Sequence, residues 1–279
     1  MGLLSGLEAL GIGVSTQKIT PDHRPVFTKK KKKHIRSEHD ERGFLYEKKY
    51  ICPVCDREFE ALRVKKSGLK LIGRDDDLRP RYVDIDPLKY DIVFCPRCGY
   101  SALADSYEQL MPYQRRWIYE GVAMHFHYEN PHNEEYSYDE AYVHYQFALL
   151  CAMVGGAKAS VKARLCLKMA WLIRGKAETI NPRLPVYEKR QKALRAKELE
   201  ALRLALVGFE KARNYEGYPV AGLGQTALDM LMSSLSMEVG DPETSVALLQ
   251  GIIASKAVKD KLKEKARSMM STAMKMISA

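Results

Sequence analysis

Two pairs of cysteines are the residues of this chain whose spacing most clearly predicts chemistry. Cys52 and Cys55 form one C-x-x-C pair, and Cys95 and Cys98 form a second after an intervening stretch of 39 residues. Such a pair can fold into a tight knuckle that directs two sulfurs at one ion, and four thiolates complete a tetrahedral zinc site. We therefore predict a structural Zn²⁺ ion bound by these four cysteines.

The same cysteines fit other kinds of site less well or equally well. Iron in a rubredoxin-like site takes the same four thiolates. A thioredoxin-like redox motif fits either pair alone, but the chain has two pairs and no surrounding βαβ pattern. Disulfides are disfavoured because the first residues do not resemble a signal peptide. Catalytic zinc is disfavoured because four protein ligands leave no open position. The cysteines favour a metal in a reducing compartment, and we expect a cytoplasmic protein.

Motifs for catalysis are missing from the rest of the sequence. It contains no P-loop, no G-x-S-x-G elbow and no dinucleotide fingerprint. The other two cysteines, Cys151 and Cys166, have no evident base partner, and we expect them to be small buried hydrophobic residues. We therefore predict no catalytic residue and a protein that is not an enzyme.

Six aspartates lie between the two cysteine pairs and could bind Mg²⁺ or act as acid and base. They are Asp75, Asp76, Asp77, Asp84, Asp86 and Asp91. Gly73, Pro80 and Pro87 mark this region as loops. Solvated turns are the interpretation that we favour.

Four histidines and a group of aromatic residues fall in one later stretch. The histidines are His125, His127, His132 and His144, and the aromatic residues are Tyr113, Trp117, Tyr119, Tyr128, Tyr136, Tyr138, Tyr142 and Tyr145. His125 and His127 are two positions apart and would point away from each other on a helix, so packing or surface roles are expected. The aromatic residues lie near Arg115 and Arg116. They fit either helix packing or a groove that stacks on bases or on a peptide.

The net charge of +10 bears on the choice of partner. Part of it comes from five consecutive lysines, Lys29 to Lys33, and the rest of the chain is also mildly basic. The simple interpretation is that these lysines are solvated. The more specific one is that they neutralise the phosphates of a nucleic acid. Lys48, Lys49, Arg57 and Arg97 lie near the cysteines and could offset the charge of −2 that four thiolates leave on Zn²⁺.

Composition and periodicity divide the chain into three parts: a flexible basic tail over residues 1–42, a zinc-ribbon-like module over residues 43–104 and a helical domain over residues 105–279. In the module we expect one small antiparallel sheet whose hairpin ends meet at the metal. No run of 18 apolar residues suggests a membrane span. The predicted fold class is α+β and mainly α.

Cap and stop signals predict the helices that follow. We expect the first over about residues 105–128, with a kink at Pro112, and further helices over about 137–154, 160–180, 186–212, 227–239, 243–255 and 258–277. In the last three, Gly-Asp joins an antiparallel pair and a third helix follows, which resembles a tetratricopeptide repeat, although the signature Trp and Tyr positions are missing. The pattern predicts an array of helix pairs.

The motifs around the cysteines resemble an uncharacterised bacterial family, domain of unknown function 2225. They are Cys52-Pro53-Val54-Cys55, Phe59, Leu69-Lys70-Leu71-Ile72, Arg74-Asp75-x-Asp77, Pro87-Leu88-x-Tyr90 and Cys95-Pro96-x-Cys98-Gly99-Tyr100. The resemblance covers about residue 44 to the C-terminus. It implies a bacterial, cytoplasmic protein with a cysteine-knuckle segment and tetratricopeptide-like helices, and it implies no activity.

Two functions follow as hypotheses. The first is a zinc-binding scaffold protein, whose helical array docks an unidentified protein or peptide. The alternative is a nucleic-acid-binding protein that uses the zinc module and the Lys-rich tail.

Overall fold

The computed structural model describes Leu3, residues 41–127 and residues 133–278. Short antiparallel hairpins come first in this part of the chain, and a larger array of α-helices follows. The predicted fold class, α+β and mainly α, is confirmed. Apart from Leu3, residues 1–40 of the predicted tail lie outside the described residues, including Lys29 to Lys33. Among the described helices, none has both the length and the apolar composition that crossing a membrane requires.

The strands form three separate hairpins. They are β1 (Leu45–Ile51) with β2 (Glu58–Val64), β3 (Leu71–Arg74) with β4 (Pro80–Tyr82), and β5 (Ile92–Phe94) with β6 (Ser101–Leu103). The prediction of one continuous small sheet was therefore wrong. Pro80 is the first residue of β4, and because proline has no N–H to donate, it limits the pairing of this strand with a further one. The hairpins are held together by side chains and the helices behind them.

Seven α-helices occur in the described residues. They are α1 (Pro112–Gly121), α2 (Tyr138–Val154), α3 (Ala159–Glu178), α4 (Tyr187–Tyr215), α5 (Gln225–Val239), α6 (Pro242–Ala254) and α7 (Asp260–Ser278). The predicted bounds of α2 to α7 agree with these to within about three residues, because the cap signals act locally. Ser137 accepts a hydrogen bond from Glu140 N at 3.2 Å, and the Glu140 carboxylate accepts one from Ser137 N at 2.9 Å. Gly240 ends α5 in a left-handed conformation with φ +84°.

The first helix begins later than the sequence predicted. Pro112 is its first residue and not a kink within it, because proline already has the helical φ and its missing N–H would have no partner in the first turn. Met111 before it is extended, with ψ 150°. The residues that were predicted to start this helix form turns, in which Ser106 N donates to Leu103 O at 2.9 Å.

Two large hydrophobic cores and two smaller clusters, one of which joins α5, α6 and α7, occur in the described residues. The largest core lies among α2, α3, α4 and α5 and includes Leu3. The second joins the cysteine knuckles to the helices, since Cys52, Cys95 and Val93 pack with Ile118 of α1 and Phe147 of α2. Folding of the knuckles is therefore coupled to packing of α1 and α2, and the predicted domain boundary at residue 104 stays a prediction.

His144 of α2 is a buried titratable residue next to the second core. Its ring stacks on Phe94 with centroids 4.6 Å apart and meets Tyr136 edge-on at 4.9 Å. Neither ring nitrogen has a hydrogen-bonding partner among the described residues. Burial lowers the pKa of His144 to about 3, because the charged imidazolium would lose its hydration without gaining a counter-ion.

We predict that replacing His144 with Phe flattens the acid limb of the stability profile. Between the ordinary pKa of 6.5 and the folded value of about 3, the unfolded chain binds a proton that the native chain does not. Stability therefore falls as the pH falls, by up to about 1.4 kcal/mol per pH unit. Urea unfolding at a series of pH values measures this slope, with His125→Phe at an exposed histidine as the control. Parallel profiles for wild type and H144F would contradict the prediction.

Candidate metal centre

The two cysteine pairs form knuckles of the same backbone geometry. The first connects β1 to β2, and the second connects β5 to β6. In the first, Cys52 N donates to Arg57 O at 3.0 Å and Asp56 N donates to Cys52 O at 2.9 Å. In the second, Cys95 N donates to Tyr100 O at 2.9 Å and Gly99 N donates to Cys95 O at 3.0 Å. The corresponding hydrogen bonds turn both pairs of sulfurs toward one point.

The residue after each pair adopts a left-handed backbone. Asp56 has φ +57° and Gly99 has φ +73°, a region that aspartate tolerates and glycine enters without strain. Gly99 is further restricted because a Cβ at this position would lie 2.3 Å from Cδ2 of Phe126. Phe126 thus seals the second knuckle over a position where no side chain fits.

All four cysteine sulfurs lie within 4.8 Å of one another. The Sγ atoms of Cys52 and Cys98 are 3.6 Å apart, and those of Cys55 and Cys95 are 3.8 Å apart. A tetrahedral ion with metal–sulfur bonds of about 2.3 Å requires sulfurs about 3.8 Å apart. The four predicted ligands therefore come together with a geometry that could hold a metal ion.

The pKa values of three of these thiols show that metal binding competes with protonation. Hydrogen bonds from Cys95 and Cys98 lower the pKa of Cys52 to about 2. The hydrogen bond to Cys52 in turn raises the pKa of Cys95 to about 12, and it raises that of Cys98 further still, together with the contact to Cys95 and burial. Among these three thiols the raised pKa values of Cys95 and Cys98 favour the protonated form, whereas a bound metal ion needs thiolates. Metal binding must displace protons, so we expect the affinity to fall as the pH falls.

A layer of aromatic rings covers the sulfur cluster from the core side. Tyr50 and Phe59 of the first hairpin stack at 5.9 Å, and Tyr107 meets both rings edge-on. The Tyr100 hydroxyl donates to Tyr107 O at 2.8 Å. Because Cys52, Cys95 and Cys98 are buried and only Cys55 is partly exposed, the cluster is protected from water on all but one side.

The remaining cysteines and histidines do not join this centre. Burial raises the pKa of both Cys151 and Cys166 to about 12, as expected for small buried hydrophobic residues. His125 and His127 are exposed, His144 is enclosed by aromatic rings, and His132 lies outside the described residues. Among the described residues, the only clustered set of metal-ligand side chains is the four predicted cysteines.

Asp77 of the predicted acidic loop is buried against the helices, contrary to the expectation of a solvated turn. Its carboxylate accepts a hydrogen bond from Trp171 Nε1 at 2.9 Å and pairs with Arg174 Nη2 at 3.0 Å. Arg174 of α3 also pairs with Glu198 of α4, with Nε and Oε1 2.5 Å apart. This network fastens the β3–β4 hairpin to two helices.

Other aspartates of the same group also have partners on the helices or strands. Asp75 pairs with Arg81 at 2.9 Å, Asp86 accepts a hydrogen bond from the Tyr138 hydroxyl at 3.1 Å, Asp91 pairs with Lys168 at 2.5 Å and Asp76 pairs with Lys265 at 3.4 Å. Asp75 and Asp77 share Arg174 as a partner, and the described carboxylates of the group form no cluster that could hold a metal ion. The arrangement explains them as links between the hairpins and the helical array, and it does not support a Mg²⁺ site or an acid–base pair.

The aromatic residues divide into two groups. Tyr136, Tyr138, Tyr142 and Tyr145 are buried or half-buried and fill the packing of α2. Tyr113, Trp117 and Tyr119 of α1 are 50%, 46% and 49% exposed. Tyr128 lies outside the described residues. The packing interpretation therefore holds for the first group, and binding by the exposed second group stays a prediction.

Sequence reasoning missed the residues that support the site from a distance. The contacts of Asp77 to α3 span 94 residues of sequence, and no local pattern marks Trp171 or Arg174 as its partners. One signal was present for the knuckles: Asp and Gly follow the two cysteine pairs, and both residue types favour a left-handed backbone.

Comparison with known proteins identifies the family. A family model described as "Uncharacterized protein conserved in bacteria (DUF2225)" matches residues 45–273. The matched residues include both knuckles and α1 to α6. No curated protein and no solved structure matches the chain.

We predict that Gly99→Ala destabilises the protein and lowers its metal content. The new Cβ would collide with Phe126 in a backbone conformation that costs a non-glycine residue about 1–2 kcal/mol before the collision is counted. Asp56→Ala is the matched control, because it places alanine in the same conformation of the other knuckle. Thermal unfolding together with elemental analysis measures both effects. Equal behaviour of G99A and D56A would show that the contact with Phe126 does not matter.

We predict that Asp77→Asn lowers the free energy of unfolding by about 1–3 kcal/mol, because it removes the charge of a buried carboxylate that pairs with the half-buried Arg174. Asp76→Asn in the next position is the control. Asp76 has a 75% exposed side chain, so the expected change is within about 0.5 kcal/mol. Chemical denaturation of both variants tests the difference, and a D77N protein as stable as D76N would refute the structural role of this network.

Proposed function

Since the chain belongs to this bacterial family of uncharacterised proteins, we propose its function from the site itself: it is a zinc-binding docking protein that performs no reaction. The observation that carries the proposal is the position of α1. This helix packs on the sulfur cluster through Ile118 and turns a row of aromatic and arginine side chains to the solvent. The metal centre fixes a surface that a partner recognises.

Zinc is the metal that we propose. Four thiolates are a soft, closed ligand set, which is typical of structural zinc and leaves no position for a substrate or water. The ion would lie among sulfurs that are already close together, so its role is to hold two distant segments in place. Since all six cysteines are free thiols, a reducing compartment such as the cytoplasm suits the protein.

The docking surface that we propose is the side of α1 that carries Tyr113 and Trp117. Tyr113 and Trp117 lie edge to face with ring centroids 5.0 Å apart, and each is about half exposed. Tryptophan, tyrosine and arginine are the residue types that contribute most to protein–protein interfaces. The sequence predicted that the helical array is the docking surface. Within that array, we propose that α1 provides the contacts that anchor a partner.

The C-terminal helices supply the repeat-like part of the proposal. Gln225 and Asp260, the first residues of α5 and α7, are 35 positions apart, close to the length of about 34 residues of a tetratricopeptide repeat. Asp241 caps α6 by accepting a hydrogen bond from Thr244 N at 3.1 Å. We propose that α5 to α7 form a repeat-like unit that extends the surface available to a partner protein or peptide.

Quantitative affinity purification from the native cell tests the docking surface. Tyr113→Ser/Trp117→Ser should lose the proteins that co-purify with wild type, because the anchoring rings are gone. Tyr215→Ser/Val207→Ser removes two exposed apolar residues from α4 and should retain those partners. All three proteins must melt at similar temperatures for the comparison to be valid. The proposal would be wrong if the α1 variant kept the same partners as wild type.

A further inference from the structure

A cleft lies beside the metal centre, between the two knuckles and α1. Its volume is about 530 Å³. The charged and aromatic residues that line it are Arg57, Arg97, Arg115, Arg116, Asp56 and Tyr119. We call it the arginine cleft.

The arginine cleft has an excess of cationic groups at its wall. Among its lining residues four are arginines and Asp56 is the single carboxylate. Arg57 and Arg97 follow or lie within the knuckles, are exposed and form no ion pair within the described part of the chain. Guanidinium groups present paired N–H donors that match the oxygens of a phosphate. The cleft therefore offers donors that the protein itself does not use.

The other two arginines are held by exposed ion pairs. Arg115 pairs with Asp56, and Arg116 Nε lies 2.8 Å from Glu120 Oε1. The carboxylate side chains are 66% and 52% exposed, and ion pairs in that situation contribute only about 0–1 kcal/mol. An incoming anion can exchange for these carboxylates at little cost.

The thiolates of the metal centre reduce the net positive charge of the arginine cleft. Four thiolates around a divalent ion have a net charge of −2, and Arg57 and Arg97 are the arginines nearest in sequence that could offset it. Cys55 and Cys98 themselves line the cleft, so this negative charge would lie at its wall, next to the exposed Arg57 and Arg97 that offset it. Arg115 and Arg116 then provide the positive charge that remains for a ligand.

The size and the aromatic lining indicate the kind of ligand. A concave space of about 530 Å³ is of the size that holds a small ligand, and a rigid duplex would not enter it. Tyr119 lies in the cleft and is half exposed, so its ring can stack on a base. The net charge of +10 and the pI of about 9.2 favour a polyanion over an uncharged partner.

We propose that the arginine cleft binds single-stranded nucleic acid, with its arginines on the phosphates and Tyr119 stacked on a base. An acidic peptide would use the arginines but would gain nothing from the stacking ring. This site goes beyond the docking function proposed above and does not depend on it, because it involves a different face of α1 from Tyr113 and Trp117.

Fluorescence anisotropy with labelled single-stranded RNA and DNA of about 12 nucleotides tests the proposal, using the full chain purified with its metal. If Arg115 and Arg116 neutralise two phosphates, the slope of log affinity against log salt should be about −1.4. Arg115→Gln/Arg116→Gln should bring the slope close to zero and weaken binding at low salt roughly tenfold. Tyr119→Ser should weaken binding roughly tenfold with little change in slope.

Arg190→Gln/Lys192→Gln is the matched control, because it removes the same net charge from exposed positions of α4. It should leave affinity and slope near those of wild type, and metal analysis should give the same content for all variants. Equal losses in the two double variants would mean nonspecific attraction to a basic protein and would overturn the proposal. The proposal would also be overturned if duplex DNA bound equally tightly or if no oligonucleotide bound. Complete displacement of the oligonucleotide by polyglutamate at a similar concentration of charge would overturn it too. Each measurement uses purified chain and oligonucleotide alone, so its outcome is separate from that of the docking experiment.

Discussion

The meeting of four cysteine sulfurs is the constraint on which the structure of the N-terminal half depends. Two segments separated by about forty residues deliver two sulfurs each to a space less than 5 Å across. Thiolates at such distances repel one another, and thiols there offer little attraction, so a cation that bridges all four is the natural source of their stability. The short hairpins β1–β2 and β5–β6 bury too little apolar surface to fix this geometry alone.

Two kinds of contact join the hairpins to the helices. Apolar side chains join the knuckles to α1 and α2 in one core, so that the position of the exposed α1 surface follows from the position of the sulfurs. Ion pairs provide the second contact, since Asp77 and Arg174 connect the middle hairpin to α3 and through Glu198 to α4. The apolar contacts supply most of the free energy, while the buried charges fix which groups face each other.

The features that could be predicted from sequence are those encoded over short distances. Spacing identified the four cysteines, and serine, aspartate, glycine and proline signals located α2 to α7, because caps act on the adjacent turn. The start of α1 was missed because Pro112 was interpreted as a kink within a helix and not as its first residue. The single sheet was wrong because the pairing of strands depends on side-chain contacts that no local pattern records. Asp77 was assigned to a solvated turn because its partners, Trp171 and Arg174, are distant in sequence.

X-ray absorption at the zinc K-edge of the purified full-length protein tests the central claim most directly, because it reports the element, the ligand atoms and their distances together. The account predicts one zinc per chain with a shell of four sulfurs at about 2.3 Å and no lighter ligand. Iron in the same four-sulfur shell would keep the geometry and change the metal. A first shell that contains oxygen or nitrogen, or a protein without stoichiometric metal, would contradict the claim that the four cysteines close around one ion.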